Sequence, residues 1–128
     1  MTKQRICIVG DGLSGLMTAV FLAKVPGIEV NLIAKKGTKN ADKRTTAISD
    51  TNYKFINQNI TSLGQKLFWP SKKIELFYES SKEKINFLNI KEDNFNLMYV
   101  FENDKVKSSL LKEISKNKIK IIRQDVKN

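Results

Sequence analysis

Three glycines at positions 10, 12 and 15 constrain the fold of this chain more than any other feature of its sequence. They follow a short apolar run, Arg5–Val9, and open a segment in which apolar residues recur at helical spacing from Leu13 onward. The run is typical of a buried strand, and the spacing is typical of a helix with one apolar face. A second apolar run, Ile28–Ala34, completes a strand–helix–strand (βαβ) unit over residues 1–34, whose two strands should be parallel.

Each glycine of this G-x-G-x-x-G motif has a mechanical role. Gly10 permits the tight turn after the strand, Gly12 lets a phosphate approach the backbone, and Gly15 lets the helix pack closely on the strand. The unpaired amides of Leu13 and Ser14 lie at the start of the helix, which is the positive end of its dipole, and would bind a pyrophosphate. The motif therefore predicts a dinucleotide site.

The residue that ends the second strand leaves the type of dinucleotide open. An Asp or Glu normally accepts the ribose hydroxyls there, but this chain has Ala34, followed by Lys35 and Lys36. A neutral residue followed by two cations suits the 2′-phosphate of NADP, whereas FAD would need its ribose held in another way. Asp11 is also unusual, because a carboxylate beside a phosphate is tolerable only when it points into water.

The sequence after the second strand predicts further helices and strands. Lys35–Arg44 is polar and aperiodic, so we expect a loop, and a helix should begin at Ile48 and end near Gly64. Phe68–Pro70 should form a structural corner against the core. Three short apolar runs within residues 74–101, separated by polar turns, predict an antiparallel β-meander.

The last segment predicts a helix and one more strand. Asp104 should cap the helix, Asn117 should end it, and Lys118–Arg123 should form a third parallel strand. The fold class is thus α/β: a Rossmann-type βαβ unit with a short antiparallel meander inserted, in one domain over residues 1–128. A parallel sheet of only three strands should leave apolar surface exposed.

Composition excludes several classes of function. With no His and a single Cys, the chain has no material for a zinc site or a His-based triad, and we expect no metal ligand. That cysteine, Cys7, should be a small buried residue of the first strand. The net charge of +10 is spread over both halves of the chain, so we expect no nucleic-acid partner. No apolar run reaches the roughly 18 residues of a membrane span.

Longer patterns resemble a known family. The glycine motif continues through Ala19 and Leu22 as G-x-G-x-x-G-x-x-x-A-x-x-L. Residues 42–49 (DKRTTAIS) are similar to the D-x-R-x-x-A-L-S block of the FAD-dependent aromatic-ring hydroxylases, in particular the ubiquinone-biosynthesis hydroxylases. Residues 97–103 (LMYVFEN) resemble the L-G-x-x-x-E-N segment of that family. The resemblance spans most of the chain but only the N-terminal portion of the family, and it departs at Ala34.

The resemblance implies FAD as the cofactor, with the block around Arg44 and Thr45 reaching it. It implies the N-terminal FAD-binding part of a bacterial monooxygenase, which would use NAD(P)H as transient reductant and O2 to hydroxylate a polyprenylated phenol. The implied location is cytoplasmic, with peripheral contact to the inner membrane and to other ubiquinone-biosynthesis proteins. The resemblance implies that the cofactor carries the chemistry, so we expect no catalytic side chain in this chain, which alone should lack hydroxylase activity.

Two interpretations therefore stand at the level of sequence. One is this FAD-binding part of a hydroxylase, and the alternative is a small NADP-binding or redox-sensing module without hydroxylase activity. The predicted cofactor-binding residues are Gly10, Gly12, Leu13, Ser14, Gly15, Ala34, Lys35, Arg44 and Thr45, of which Arg44 and Thr45 follow from the resemblance.

Overall fold

The arrangement of strands and helices confirms the predicted α/β class. A computed structural model describes residues 3–37 and 41–125; the centre of the predicted loop Lys35–Arg44 and the chain ends lie outside the described residues. The elements in chain order are β1 (Gln4–Val9), α1 (Leu13–Ala23), β2 (Ile28–Ala34), β3 (Thr45–Ser49), α2 (Asp50–Phe55) continued by a π-helical turn (Ile56–Ile60), a 3₁₀ turn (Gln65–Leu67), β4 (Phe68–Ser71), β5 (Lys73–Glu79), β6 (Lys84–Lys91), β7 (Met98–Glu102), α3 (Asn103–Lys116) and β8 (Lys120–Arg123).

The parallel sheet has the three strands that the sequence predicts. Its central strand is β2, with β1 and β8 on either side, and both pairings are parallel. Alternate residues of β2, namely Val30, Leu32 and Ala34, are buried because they face the helices. All three strands point the same way, so their carboxyl ends meet at one edge of the sheet.

Strand β1 is less buried than its composition suggests. Cys7 and Val9 are exposed, so the prediction that β1 is buried on both faces and that Cys7 is a core residue is wrong. Within the described residues β1 pairs only with β2, which makes it an edge strand. Ile6 and Ile8 share the covered face with β2's buried residues, whereas Cys7 and Val9 point to the opposite face.

The core lies where α1 packs on both β2 and α3. Its innermost side chains repeat at helical spacing and are 0–1% exposed; they are Leu16, Val20, Val106, Leu110 and Ile114. Burying each contributes roughly 1.5–3 kcal/mol relative to leaving it in water. Since α1 follows β1 and α3 precedes β8, both helices begin at the carboxyl edge of the sheet. The packing therefore fixes two helix N-termini beside each other.

The antiparallel insertion is present, but its pairing differs from the predicted meander. Strands β5 and β6 form a separate hairpin, while β7 pairs with β3 on one side and with β4 on the other. After β6 the chain turns back along the start of β5: the Glu92 amide donates to the Lys72 carbonyl, and the Leu97 amide donates to that of Ser71. This return carries β7 away from β6 and onto β4.

Two predicted boundaries in the middle of the chain are also wrong. Ile48 lies in β3, where it pairs with Tyr99, so the helix begins only at Asp50. Ser49 caps that helix, since its hydroxyl accepts the amide hydrogen of Asn52. Phe68–Pro70 belongs to β4 rather than to a corner, because its backbone pairs with β7.

The start of α3 differs from the prediction and its end agrees with it. Asn103 is the first helical residue and Glu102 the N-cap, so Asp104 is not the cap. The Asp104 carboxylate instead accepts the amide hydrogen of Asp42, 62 residues earlier in the chain. Asn117 ends the helix as predicted, and β8 occupies most of the predicted strand Lys118–Arg123.

The sequence predicts exposed apolar side chains on the short parallel sheet, where Val9 is indeed exposed, but most such side chains lie on the separate hairpin formed by β5 and β6. Every residue of β6 is exposed, including Ile85, Phe87 and Ile90. Among the described ranges, no helix has the length and apolar character needed to cross a membrane.

Candidate functional site

The glycine turn at the carboxyl end of β1 is shaped by its three glycines. Gly10 has a φ of +112°, in the left-handed region that favours glycine, and its amide donates to the carbonyl of Ile33 on β2. A Cβ on Gly15 would overlap the carbonyl oxygen of Gly10, which is the close helix–strand approach expected there. Gly12 has an ordinary φ of −71°, and a Cβ there would meet no atom within 4 Å. Gly12 therefore leaves open space in front of the turn.

The start of α1 behind this turn has unpaired backbone donors. Gly12 is the N-cap, no side chain caps the helix among the described residues, and its first turn holds no acidic residue. The first intrahelical bond runs from the Leu16 amide to the Gly12 carbonyl, at 3.0 Å. The amides of Leu13, Ser14 and Gly15 precede it and lack helical acceptors. The dipole adds partial positive charge at the same place, so this helix end suits an anion.

A cleft of about 550 Å³ opens beside the turn, at the carboxyl edge of the parallel sheet. It is lined by Asp11, Lys35, Lys36, Gly37, Ala41, Asp104, Lys107, Ser108, Leu111 and Arg123. A smaller hollow of about 390 Å³ adjoins it and shares Asp11 and Lys35. The cleft follows from the topology, because the ends of β2 and β8 and the first two turns of α3 converge here.

The charges around the cleft favour an anionic ligand. Four cationic side chains line it, against the two carboxylates of Asp11 and Asp104. One of the four, Lys107, places its Nζ 3.4 Å from Oδ2 of Asp11. Asp104 is engaged by the Asp42 amide at 2.9 Å. The positive charges of Lys35, Lys36 and Arg123 therefore remain to attract an anion in the cleft.

The ribose end of the predicted site lacks an acceptor. Ala34 is fully buried, and its carbonyl accepts the amide hydrogen of Gln124 at 3.0 Å, which extends the pairing of β2 with β8. Lys35 follows directly and lines both hollows. The structure thus brings Lys35 beside the glycine turn, while Ala34 offers no side chain to a ligand.

The block around Arg44 lies at the start of α3. Nε and Nη2 of Arg44 donate to the two carboxylate oxygens of Asp42, at 2.7 and 2.8 Å. This bidentate pair holds the pKa of Asp42 well below its usual range and raises that of Arg44. Arg44 and Thr45 do not line either hollow. The structure therefore places this part of the predicted set outside the two hollows beside the glycine turn.

Asn103 holds that block in place, and the sequence assigned it no role. It is only 7% exposed and is the one buried polar side chain of the described residues. Its Nδ2 donates to Asp42, its Oδ1 accepts the hydroxyl of Thr46 at 2.6 Å, and its amide donates to the Arg44 carbonyl. A buried amide needs partners for each polar atom, and Asn103 finds them all in residues 42–46.

Sequence reasoning also missed Lys107 and Arg123. Arg123 ends β8, so the rule that parallel strands end at one edge could have pointed to it. Lys107 becomes part of the site only because α3 packs against α1, and no local pattern signals that contact.

Comparison with known proteins concerns the fold. No protein-family model matches the sequence. No curated protein sequence matches it either. Solved structures do resemble it, and three of them illustrate the likeness.

A tetrameric form of 2-methyl-3-hydroxypyridine-5-carboxylic acid oxygenase has a TM-score of 0.73 at 14% identity, over 96% of this chain and 32% of its own. A tryptophan halogenase from Shewanella frigidimarina has a TM-score of 0.72 at 12% identity, over 99% and 37%. The p-nitrophenol 4-monooxygenase of Pseudomonas putida has a TM-score of 0.70 at 15% identity, over 94% and 31%. The chain thus has the fold of about a third of each of these enzymes.

Proposed function

We propose that this chain is the N-terminal FAD-binding part of a flavin-dependent monooxygenase that hydroxylates a polyprenylated phenol in ubiquinone biosynthesis. The observation that carries the proposal is the uncapped start of α1, which lies behind the open space at Gly12 and beside a cationic cleft. The two sequence blocks that resemble the family support it. Further support comes from the oxygenases and the halogenase whose fold the chain shares.

The site fits the ADP half of FAD. The pyrophosphate would lie against the amides of Leu13, Ser14 and Gly15, in the space that Gly12 leaves free. The adenosine ribose would lie toward Lys35, at the end of β2. Arg44 would contact the cofactor through the edge of its guanidinium that Asp42 does not occupy.

This placement gives the cofactor and the protein different roles. When bound, FAD supplies the redox chemistry, with NAD(P)H as the electron donor and O2 as the second substrate. The residues of this chain bind the cofactor, orient it and neutralise its phosphates. The cytoplasmic location, the peripheral membrane contact and the association with other ubiquinone-biosynthesis proteins belong to the same proposal.

A second candidate function rests on the charges around the cleft. Lys35, Lys36 and Arg123 surround the place where the adenosine ribose would lie, and no carboxylate ends β2. Such a cluster suits a 2′-phosphate. The candidate is a small NADP-binding or redox-sensing module without hydroxylase activity.

Ligand binding separates the two candidates. FAD and NADPH would be titrated separately while the melting temperature and the heat of binding are measured. We expect FAD to stabilise the chain by about 2.7 kcal/mol at a hundred times its Kd, and NADPH at the same concentration to have little effect. Stabilisation by NADPH alone would favour the second candidate. Gly12→Val is the control, since its side chain would fill the phosphate space without disturbing an ordinary φ.

An activity assay tests whether this chain binds the cofactor without completing the hydroxylase site. The chain would be incubated with FAD, NAD(P)H and a prenylated phenol under air. We expect no hydroxylated product, because the chain spans about a third of the length of the oxygenases that it resembles. Product above a no-protein control would show that these residues form a complete site.

A further inference from the structure

Asp11 lies between the first two glycines of the turn. Its carboxylate lies 3.4 Å from Nζ of Lys107, which is on the second turn of α3. Both side chains are 34% exposed, so the pair is partly shielded from water. We propose that Lys107 is a positioning residue for the phosphate site, which makes the glycine turn competent to bind a pyrophosphate by neutralising Asp11.

The need for such a residue follows from the position of Asp11. The carboxylate belongs to the loop whose next amides, those of Leu13 and Ser14, are the free donors for an anion. A negative charge this close opposes a phosphate by Coulomb repulsion, and partial burial keeps salt and water from screening it fully. A cation paired with Asp11 removes most of this repulsion without occupying the phosphate space.

Lys107 is suited to this role by the rigidity of its support. It is on the helix that carries Asn103 one turn earlier, and Val106 beside it is fully buried against the core. The cation is therefore held on a packed element rather than on a loop, as a preorganised site requires. Lys35, Lys36 and Arg123 line the same cleft, but among the described residues only Lys107 forms an ion pair with Asp11.

A purely structural role for the pair makes a different prediction. If the contact only joins α3 to the turn, removing either charge should lower the stability to a similar extent, and removing both should restore nothing. If Lys107 acts by neutralising Asp11, loss of the cation should weaken phosphate binding, and loss of both charges should restore it. Coupling between two variants of this kind is what a double-mutant cycle measures.

The experiment titrates FAD and ADP into the wild-type chain and its variants by calorimetry, with the melting temperature recorded for each. We expect Lys107→Gln to raise both Kd values about tenfold, the order of change that an unpaired charge within several ångströms makes. Asp11→Asn in that background should bring the Kd values back to within about twofold of wild type. Lys116→Gln is the matched control, because it removes a cation paired with Glu113 at the far end of the same helix.

The outcomes separate this inference from the proposed function on which it rests. Unchanged Kd values in Lys107→Gln, or a loss that Asp11→Asn does not restore, would overturn the role of Lys107 while wild-type binding still upholds a nucleotide site. Failure of the wild-type chain to bind FAD, ADP or NADPH would overturn both. Tighter binding by the double variant than by Lys107→Gln, at an unchanged melting temperature, would establish the role.

Discussion

The α/β half of the molecule and the β5–β6 hairpin use similar apolar residues with opposite results. In the α/β half, Val30 and Leu32 alternate along β2 and are 6% and 0% exposed, because α1 packs against this face of the sheet. In the hairpin, Leu76 and Leu88 face each other across the ladder yet remain 43% and 39% exposed. An apolar pattern therefore specifies a strand and its faces, whereas burial depends on which element packs against that face.

The two faces of the hairpin differ in composition. The apolar pairs Ile74–Ile90, Leu76–Leu88 and Tyr78–Ile85 lie on one face, and the opposite face carries the polar pairs Lys73–Lys91 and Glu79–Lys84 together with Phe77. An isolated two-stranded ladder is marginally stable in water. Within the described residues, the hairpin should thus be the first part to open and the α/β half the last.

The largest contrast is expected from matched leucine truncations. Leu110 on α3 is fully buried, so Leu110→Ala should lower the free energy of unfolding by about 3–5 kcal/mol, through lost transfer energy and the cavity left behind. Leu88→Ala on the hairpin should cost less than about 1 kcal/mol, since its side chain already contacts water. Urea unfolding followed by circular dichroism measures both. Equal losses would mean that something covers the hairpin in solution.

A second contrast lies within the glycine turn of the α/β half. Gly15→Ala places a methyl group on the carbonyl oxygen of Gly10, so the helix and strand must separate, at a cost of about 2 kcal/mol or more. Gly12→Ala meets no atom and keeps an ordinary φ, so its effect on stability should stay within about 1 kcal/mol. The melting temperatures of the two variants show whether each glycine is needed for packing of the helix on the strand or only leaves space for a ligand. A large loss in Gly12→Ala would show that this position is structural.

Two asparagines extend the comparison to polar side chains. Asn103 is buried with every partner in place, so Asn103→Ala should cost about 1–3 kcal/mol and release residues 42–46. Asn86 on the hairpin makes one exposed, 3.5 Å contact to Glu75, so Asn86→Ala should change the stability by less than about 0.5 kcal/mol. Denaturant titration measures both effects. Similar values for the two would contradict the idea that burial sets the strength of the Asn103 network.

The same distinction explains which elements the sequence could predict. β1, α1 and β2 follow from local periodicity and from glycines whose roles are local, so their bounds agree closely with the prediction. β3 was missed because its only described partner, β7, lies more than fifty residues later, and Thr45–Ser49 is too short to show a strand pattern by itself. The meander was mispaired for the same reason, since return contacts and not the runs themselves decide where β7 goes.

The residues of the candidate site also differ in whether the sequence could predict them. The turn at Gly10 and Gly15 was predictable because each glycine meets a steric requirement within its own loop. Lys107 and Asn103 were not, because both act through the packing of α3 against segments far away in the chain. Local chemistry thus predicted the shape of the glycine turn, and tertiary packing brought Lys107 beside it.

The smallest expected effect is electrostatic and depends on pH. Arg44, and after it Asn103, hold the pKa of Asp42 well below its usual range, so the ionised carboxylate favours the folded state. A carboxyl group whose pKa is lowered by folding stabilises the protein above its unfolded pKa of about 4, and this contribution disappears as the pH falls through the folded value. Asp42→Asn should therefore be less stable than wild type near pH 7, with the difference shrinking steadily below about pH 4.

Melting temperatures of wild type and Asp42→Asn, compared from pH 7 to pH 2, test this expectation. The difference should be modest throughout, because the ion pair is exposed and an exposed pair is strongly screened. Raising the salt concentration at pH 7 should reduce it further, whereas salt should leave the loss in Leu110→Ala largely unchanged. A difference that does not shrink between pH 4 and pH 2 would show that Asp42 acts through its hydrogen bond with Asn103 rather than through its charge.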